Sequence, residues 1–436
     1  INLLYNFSCR DFKNQRMGDF MMLYIGIILV IATLYLLIKR YEARMILVIS
    51  GLIMCCVAGA PIKALDAFAK GMGNGMISSA CSSMGFALIM HFTGCDKHLI
   101  NALAKVLTKV RFLVIPGAVL GTFIVNIALP SAAGTAAAAG AVFIPIMMGM
   151  GVHPALAAAA VKCGTYGSML NPGLAHNVMV AKIAKVDVSQ VIGFHYVANF
   201  ASAIIAAIAI TDIAYYMHED KDNYVEGVEI DDNFKINPLY ALMPLVPIII
   251  LLLGATKTVP MLKMGVAQAM VIGAILTFAV TRTNPAELSK NFFEGMGKAY
   301  TDIIGIIIAA GVFVAGMNAM GLVKAFIASM VNNPAIVKLC ASVGPFLLGL
   351  VVGSGDAATF AFNEAVTPHA AEFGMTAVQM GSMATLGGTL GRTMSPIAGA
   401  TIIVAGIAGV NPMEIAKRNA VPMILAMIFG MAMLIF

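Results

Sequence analysis

From Phe112 to Val152 the chain runs 41 residues without a charged side chain. A helix crosses ~30 Å of hydrocarbon with about 20 apolar residues, so this run is too long for one crossing. Its middle holds Pro130-Ser131-Ala132-Ala133-Gly134-Thr135, residues that interrupt a helix. A second long, mostly apolar run, 339–374, is interrupted by Gly353-Ser354-Gly355-Asp356. Irregular backbone at membrane depth is tolerated only where it is buried in protein or lines a cavity. Two such interruptions constrain the fold more than anything else in the chain.

The surrounding composition leaves no soluble solution. The chain is 60% hydrophobic and 11% charged, with mean hydropathy +0.92, which implies an all-α polytopic membrane protein embedded in a lipid bilayer. The net charge of +6 is spread over short loops. It reads as a topology signal and not as a nucleic-acid surface. The seven cysteines have no metal or disulfide spacing, and the histidines form no ligand-like pairs, so neither a metal nor a cofactor is expected. Residues 1–16 (INLLYNFSCRDFKNQR) are polar and charged, unlike a cleavable signal, and read as a tail ahead of a candidate start at Met17.

The chain repeats itself. "GTYGSMLNPGLAHNVMVAKIAKV" (164–186) falls on "GTLGRTMSPIAGATIIVAGIAGV" (388–410) at an offset of 224, with nine of 23 positions identical. At 223, Ser131, Pro145 and Gly151 fall on Ser354, Pro368 and Gly374, and near that offset Gly71-Met72-Gly73 recurs as Gly295-Met296-Gly297. A near-constant offset over such a length marks duplication. The halves run over 17–218 and 237–436, with an acidic linker at 219–236. Each holds a long interrupted run (112–152 and 339–374) followed by a second interrupted span (154–186 and 376–410).

If each long run is a re-entrant hairpin, a half has five crossings and the repeats are inverted. Residues 96–111 interleave Lys97, Lys105, Lys109 and Arg111 with Leu99, Ile100, Leu103 and Leu107, which reads as a surface helix feeding the first hairpin. "GLVKAFIASMVNN" takes its place in the second half. The expected architecture is two inverted repeats of five transmembrane helices plus one hairpin, ten crossings in all. With 39–44, 96–111, 212–236, 282–298 and 411–418 placed inside by the basic-residue bias, both termini lie outside.

Asn171-Pro172 and Ser395-Pro396 each pair a cap residue with a proline suited to the first helical position, so a helix restart is expected at each. Ser131 and Ser354 can likewise cap the returning hairpin arms. Four helix N-termini near the midplane would offer free N–H groups and partial positive charge to a small anion. The candidate binding residues are Ser131, Gly134, Thr135, Ser168, Asn171, Pro172, Ser354, Gly355, Thr359, Arg392, Thr393, Ser395 and Pro396. Arg392 replaces Ser168 of the first half and is the natural partner of a carboxylate. Asp356 replaces Ala133, and it can ligate Na+, carry a proton or pair with Arg392. Lys162 is expected to snorkel toward the inner face, and Glu364 to lie near the outer end of its arm. His176, just past Pro172, is a further residue to watch.

These tips and breaks ("PSAAGTAAAAG", "GSGDAATFAF", "GTYGSMLNPG", "GTLGRTMSPIAG") resemble the DcuC family of anaerobic four-carbon dicarboxylate carriers, related to the divalent-anion:sodium symporters. The resemblance implies a homodimeric secondary transporter of the bacterial inner membrane, with a static scaffold and a moving transport domain. Succinate, fumarate, malate or aspartate would be exchanged or carried with an ion. Neither tip has the symporters' Ser-Asn-Thr, so the coupling ion, Na+ or H+, is left open, as is another carboxylate or an amino acid as cargo. The Gly353-Ser354-Gly355-Asp356 run also spells the GxGD of intramembrane aspartyl proteases. A protease would need a second aspartate on a neighbouring crossing, for which Asp302 is the candidate, and a Pro-Ala-Leu after GxGD. Here Pro154-Ala155-Leu156 precedes it by about 200 residues, in the other half.

Overall fold

The computed structural model describes residues 21–37, 39, 41–73, 77–107, 111–223, 234–255, 259–325 and 334–435. Every regular element among them is helical, as a chain must be when lipid offers its backbone no hydrogen-bond partners. The first half runs Met21–Leu37, Ala43–Val57, Ile62–Met72 with Ile77–Thr93, Cys95–Leu107, Val114–Ala128 with Ala132–Gly149, Pro154–Cys163 with Ala175–Ala184, and Val188–Tyr216. The second half follows the same order. Pro238–Leu242 leads into Val246–Ala255, then Val266–Thr281, Pro285–Ala299 with Gly305–Ala319, Pro334–Val352 with Gly355–Ala365, Ala377–Met394 with Gly399–Ala408, and Pro412–Ile435. The N-terminal tail 1–16, positions 224–233 of the linker and positions 326–333 of the second surface segment lie outside the described residues.

Both long apolar runs break where expected. The first parts at Leu129-Pro130-Ser131 and the second at Gly353-Ser354, where Gly353 takes a positive φ of 75°. The segment Cys95–Leu107 is amphipathic as read, with Leu99, Ile100 and Ala104 buried and Lys97 and Lys105 exposed.

The stretch 282–298, placed inside between two expected crossings, is helical from Pro285 on. Positions 282–298 hold Asn284, whose side chain accepts from the Ala286 N–H, and Pro285 at the first turn. The helix they start continues through a π turn at Tyr300–Ile304 to Ala319, 35 residues in all. Its counterpart, Ile62–Met72 with Ile77–Thr93, is bent by 49°. Counting uncharged runs finds only the apolar part of such amphipathic helices. Among the described residues, five helices are long and apolar enough to cross a membrane, or six with the bent pair joined. The other apolar helices, among them Met21–Leu37, Ala43–Val57, Val114–Ala128 and Val266–Thr281, are 10–17 residues long.

The interrupted helices lie at the centre. Ala155 to Cys163 are all buried, and so are Met380 to Gly391. Glycine lets them approach the hairpins, and it does so equivalently in the two halves. A Cβ on Gly164 would strike the Val119 carbonyl, and one on Gly387 would strike that of Ser342. Gly167 and Gly391 meet the carbonyls of Phe123 and Phe346 in the same way. The partners in each case stand 223 or 224 residues apart, so the sequence repeat is also a packing repeat.

Equivalent outer helices run antiparallel. Gly71 packs on Ile308 while Gly85 packs on Phe292, so numbers rise along one helix as they fall along the other. In the two final helices, Ser202 Oγ donates to the Ala426 carbonyl at 2.9 Å, while Glu219, just past the first, pairs with Arg418.

Candidate functional site

Of the four expected helix starts, the first tip is capped as read. Ser131 is the N-cap of its returning arm, its Oγ accepting from the Gly134 N–H at 3.1 Å. Ser354 holds the matching extended conformation, but its side chain makes no capping bond. The two restarts differ from expectation. The helices resume at Ala175 and Gly399, three residues past each proline, with Leu174 and Ala398 as uncapped N-caps. Asn171 and Ser395 instead make side-chain turns: Asn171 Oδ1 accepts from Gly173 N at 2.7 Å and Ser395 Oγ from Ile397 N at 3.4 Å. A short polar side chain before proline serves a local turn as readily as a helix cap, and here the turn wins.

Asn126 ties the first tip to the first break. Its Nδ2 donates to Thr135 Oγ1 at 3.1 Å and its Oδ1 accepts from Ser168 N at 2.8 Å. Asn171 Nδ2 adds a bond to the Ile127 carbonyl at 2.7 Å. Thr135, Ser168 and Asn171 are buried, while Gly134 is exposed and Pro172 partly so. Around Asn126 the polar groups of the first tip and first break are engaged in one network. Asn126 was missed because a lone Asn inside an apolar run carries no motif.

In the second half the cap position Ser354, one donor of Arg392 and the Asp356 carboxylate stay outside such a network. Gly355 packs against the Gly388 carbonyl so closely that a Cβ would collide. Thr359 is buried behind it, 3.5 Å from the Ala384 carbonyl. Thr393 bonds back to Thr389 O at 2.8 Å and so faces its own helix, while Pro396 is partly exposed. Arg392 is partly accessible and donates from Nη2 to the Thr165 carbonyl at 3.1 Å, and its buried Nε has no partner. Asp356, with a third of its side chain exposed, stands 3.4 Å from Nε2 of the buried His176. The ring of His176 lies on Phe360, with centroids 4.3 Å apart, and neither of its nitrogens has a hydrogen bond. Asp356 and Arg392 make no ion pair within 4 Å.

The two halves therefore meet at their breaks. Thr165 reaches Arg392, His176 reaches Asp356, and Thr389 Oγ1 lies 3.3 Å from Met169 Sδ. Among the described residues, no hydrogen bond or ion pair joins Ser131 or Thr135 to Arg392 or Asp356, and the first tip is tied to the first break through Asn126 and the Asn171 bond to Ile127.

Lys162 corrects the reading of the sequence. It does not snorkel: it is fully buried and donates from Nζ to the Arg392 carbonyl at 3.3 Å. The end of Ala377–Met394 supplies that carbonyl, and the alanine-rich helix around Lys162 leaves room for the long side chain to reach it. Glu364 is exposed near the end of its arm, as read. Asp302, the second aspartate a protease would require, sits exposed in the π turn.

The model of the DcuC family, described as C4-dicarboxylate anaerobic carriers, matches residues 21–436. The chain belongs to the DcuC family. It is a multi-pass membrane transporter and not an enzyme. An uncharacterized transporter of Haemophilus influenzae is 44% identical over 278 residues, covering 60% of this chain and 98% of that one. The anaerobic C4-dicarboxylate transporter DcuC of Escherichia coli K12 is 25% identical over 94% of this chain and 96% of its own. The crystal structure of the Alcanivorax borkumensis YdaH transporter shares the fold, with TM-score 0.58 at 16% identity over 85% of this chain and 86% of that one. MtrF of Neisseria gonorrhoeae, from a class of antimetabolite efflux pumps, aligns with TM-score 0.56 at 17% identity, over 87% and 85%.

Proposed function

We propose that this DcuC-family transporter moves C4-dicarboxylates (succinate, fumarate, malate or aspartate) across the bacterial inner membrane by exchange or ion-coupled alternating access. The observation that carries the reading is Arg392, a permanently charged side chain at the crossing of two broken helices, with one donor unanswered. A carboxylate accepts such a donor in a charge-assisted bond. Ser354, its hydroxyl uncommitted to a cap, and the free N–H groups at the start of Gly355–Ala365 add further donors.

The halves are inverted repeats, each with a re-entrant hairpin. Support comes from the antiparallel packing of equivalent helices, since repeats of parallel topology would run them the same way. The broken helices and hairpins then form the moving body and the outer helices the scaffold of a homodimer. Asp356 stands only in the second half, so the coupling ion, Na+ or H+, enters through that tip. A second reading, a carrier of another carboxylate or an amino acid, is favoured by the modest 25% identity to the Escherichia coli carrier.

Counterflow in proteoliposomes loaded with each candidate acid tests the substrate. Labelled succinate should accumulate without any ion gradient. Accumulation only with a different carboxylate or an amino acid would replace the first reading by the second.

A further inference from the structure

Lys162 is among the largest fully buried side chains of the described residues. It lies in the last turn of Pro154–Cys163, and its Nζ donates to the Arg392 carbonyl at 3.3 Å. Arg392 answers from Nη2 to the carbonyl of Thr165, three residues beyond Lys162. The last carbonyls of a helix lack partners within it and form the negative end of its dipole. Lys162 thus holds a carbonyl in the last turn of Ala377–Met394, while Arg392 holds the carbonyl of Thr165 just beyond the C-cap Gly164 of Pro154–Cys163, and each basic side chain arrives from the other half of the chain. Among the described residues no carboxylate stands within 4 Å of Lys162 or Arg392, so the clasp is made of cross-paired side chains and carbonyls and not of an ion pair.

We propose that Lys162 is a positioning residue for Arg392. It fixes the carbonyl of Arg392 where the second broken helix ends, and so keeps the guanidinium at the crossing with its Nε free for a substrate carboxylate. An amine and an ammonium both donate to a carbonyl, so the role does not depend on the charge Lys162 carries. The Arg392 carbonyl also accepts from Ser395 N at 3.1 Å, which holds the turn when Lys162 is lost. Removing Lys162 therefore loosens the aim of Arg392 and leaves the break itself in place. The inference rests on the reading of Arg392 as the carboxylate ligand.

The test is labelled-succinate binding to the purified full chain, paired with counterflow rates per folded carrier. Lys162→Met should raise the Kd by about tenfold, the scale of one hydrogen bond near a charged group. It should leave the maximal rate within about twofold, because binding is lost and the moving steps are not. Lys162→Arg, which restores a donor, should recover most of the affinity. In an Arg392→Lys background, Lys162→Met should change the Kd by less than about twofold, since the group it positions is gone. A reduced maximal rate at unchanged Kd, or the same loss of affinity in both backgrounds, overturns the proposal. If Lys162→Met does not fold, Lys162→Gln takes its place in the same comparison. Failure of the wild-type chain to bind succinate would overturn the substrate reading itself, and the inference with it.

Discussion

The guanidinium of Arg392 donates to the backbone carbonyl of Thr165 at 3.1 Å, joining the interrupted helix of one half to that of the other. These two residues stand 227 positions apart. Their contact, with His176 and Asp356 at 3.4 Å beside it, places the reserve of uncommitted polar groups at one crossing.

Asp356→Asn keeps the size of the side chain and removes its charge. Transport against a gradient should lose its dependence on pH or on Na+, while exchange of substrate across the membrane persists. Ion-driven uptake compared with counterflow in the same vesicles reads this. An ion dependence identical to that of the wild type would take coupling away from Asp356.

Ser131→Ala removes a cap bond that the structure contains, and should cost about 1 kcal/mol of stability. Ser354→Ala removes no such bond, so it should leave stability almost unchanged and weaken substrate binding instead. Thermal unfolding in detergent and succinate affinity, measured side by side, separate the two. Equal destabilisation would mean that the tips are built alike.

Gly167→Ala and Gly391→Ala should each be destabilising by roughly 1–3 kcal/mol, because the added methyl meets a backbone carbonyl that cannot rotate away. Gly399→Ala meets nothing within 4 Å and should be tolerated. Yield and melting temperature of the three variants decide it. A stable Gly391→Ala would mean that hairpin and broken helix separate freely.

Arg418 is 5% exposed at its side chain and donates to both oxygens of Glu219, with Glu414 beside it at 3.0 Å. Removing one partner of a buried pair strands the other charge, at a cost of about 3 kcal/mol. Arg418→Met should therefore lower the melting temperature sharply, and Arg418→Met with Glu219→Gln should recover part of the loss. A double variant as unstable as the single one would show that packing, and not charge, is what Arg418 supplies.

The tips and breaks were legible in the sequence because Pro, Gly and Ser inside an apolar run have few structural meanings. The duplication sharpened them, since Gly167 and Gly391 stand out only when the halves are aligned. Helix restarts were placed three residues early at Pro172 and Pro396, because Asn171 and Ser395 can cap a helix or close a turn with the same atoms. Lys162 was misplaced for a different reason. Whether a long basic side chain reaches lipid headgroups or a buried carbonyl depends on what packs across from it, and Arg392 lies 230 residues away. His176 could be noticed but not assigned, since its neighbour Asp356 comes from the other half.

The most direct measurement is binding of labelled succinate to purified wild-type and Arg392→Ala carriers, each shown folded by its melting transition. The account predicts saturable binding by the wild type and loss of at least about a hundredfold in affinity for the variant, the scale of a charged hydrogen-bonding partner removed from a buried site. Equal affinity in the two proteins would contradict the assignment of the crossing as the place where the substrate carboxylate is held.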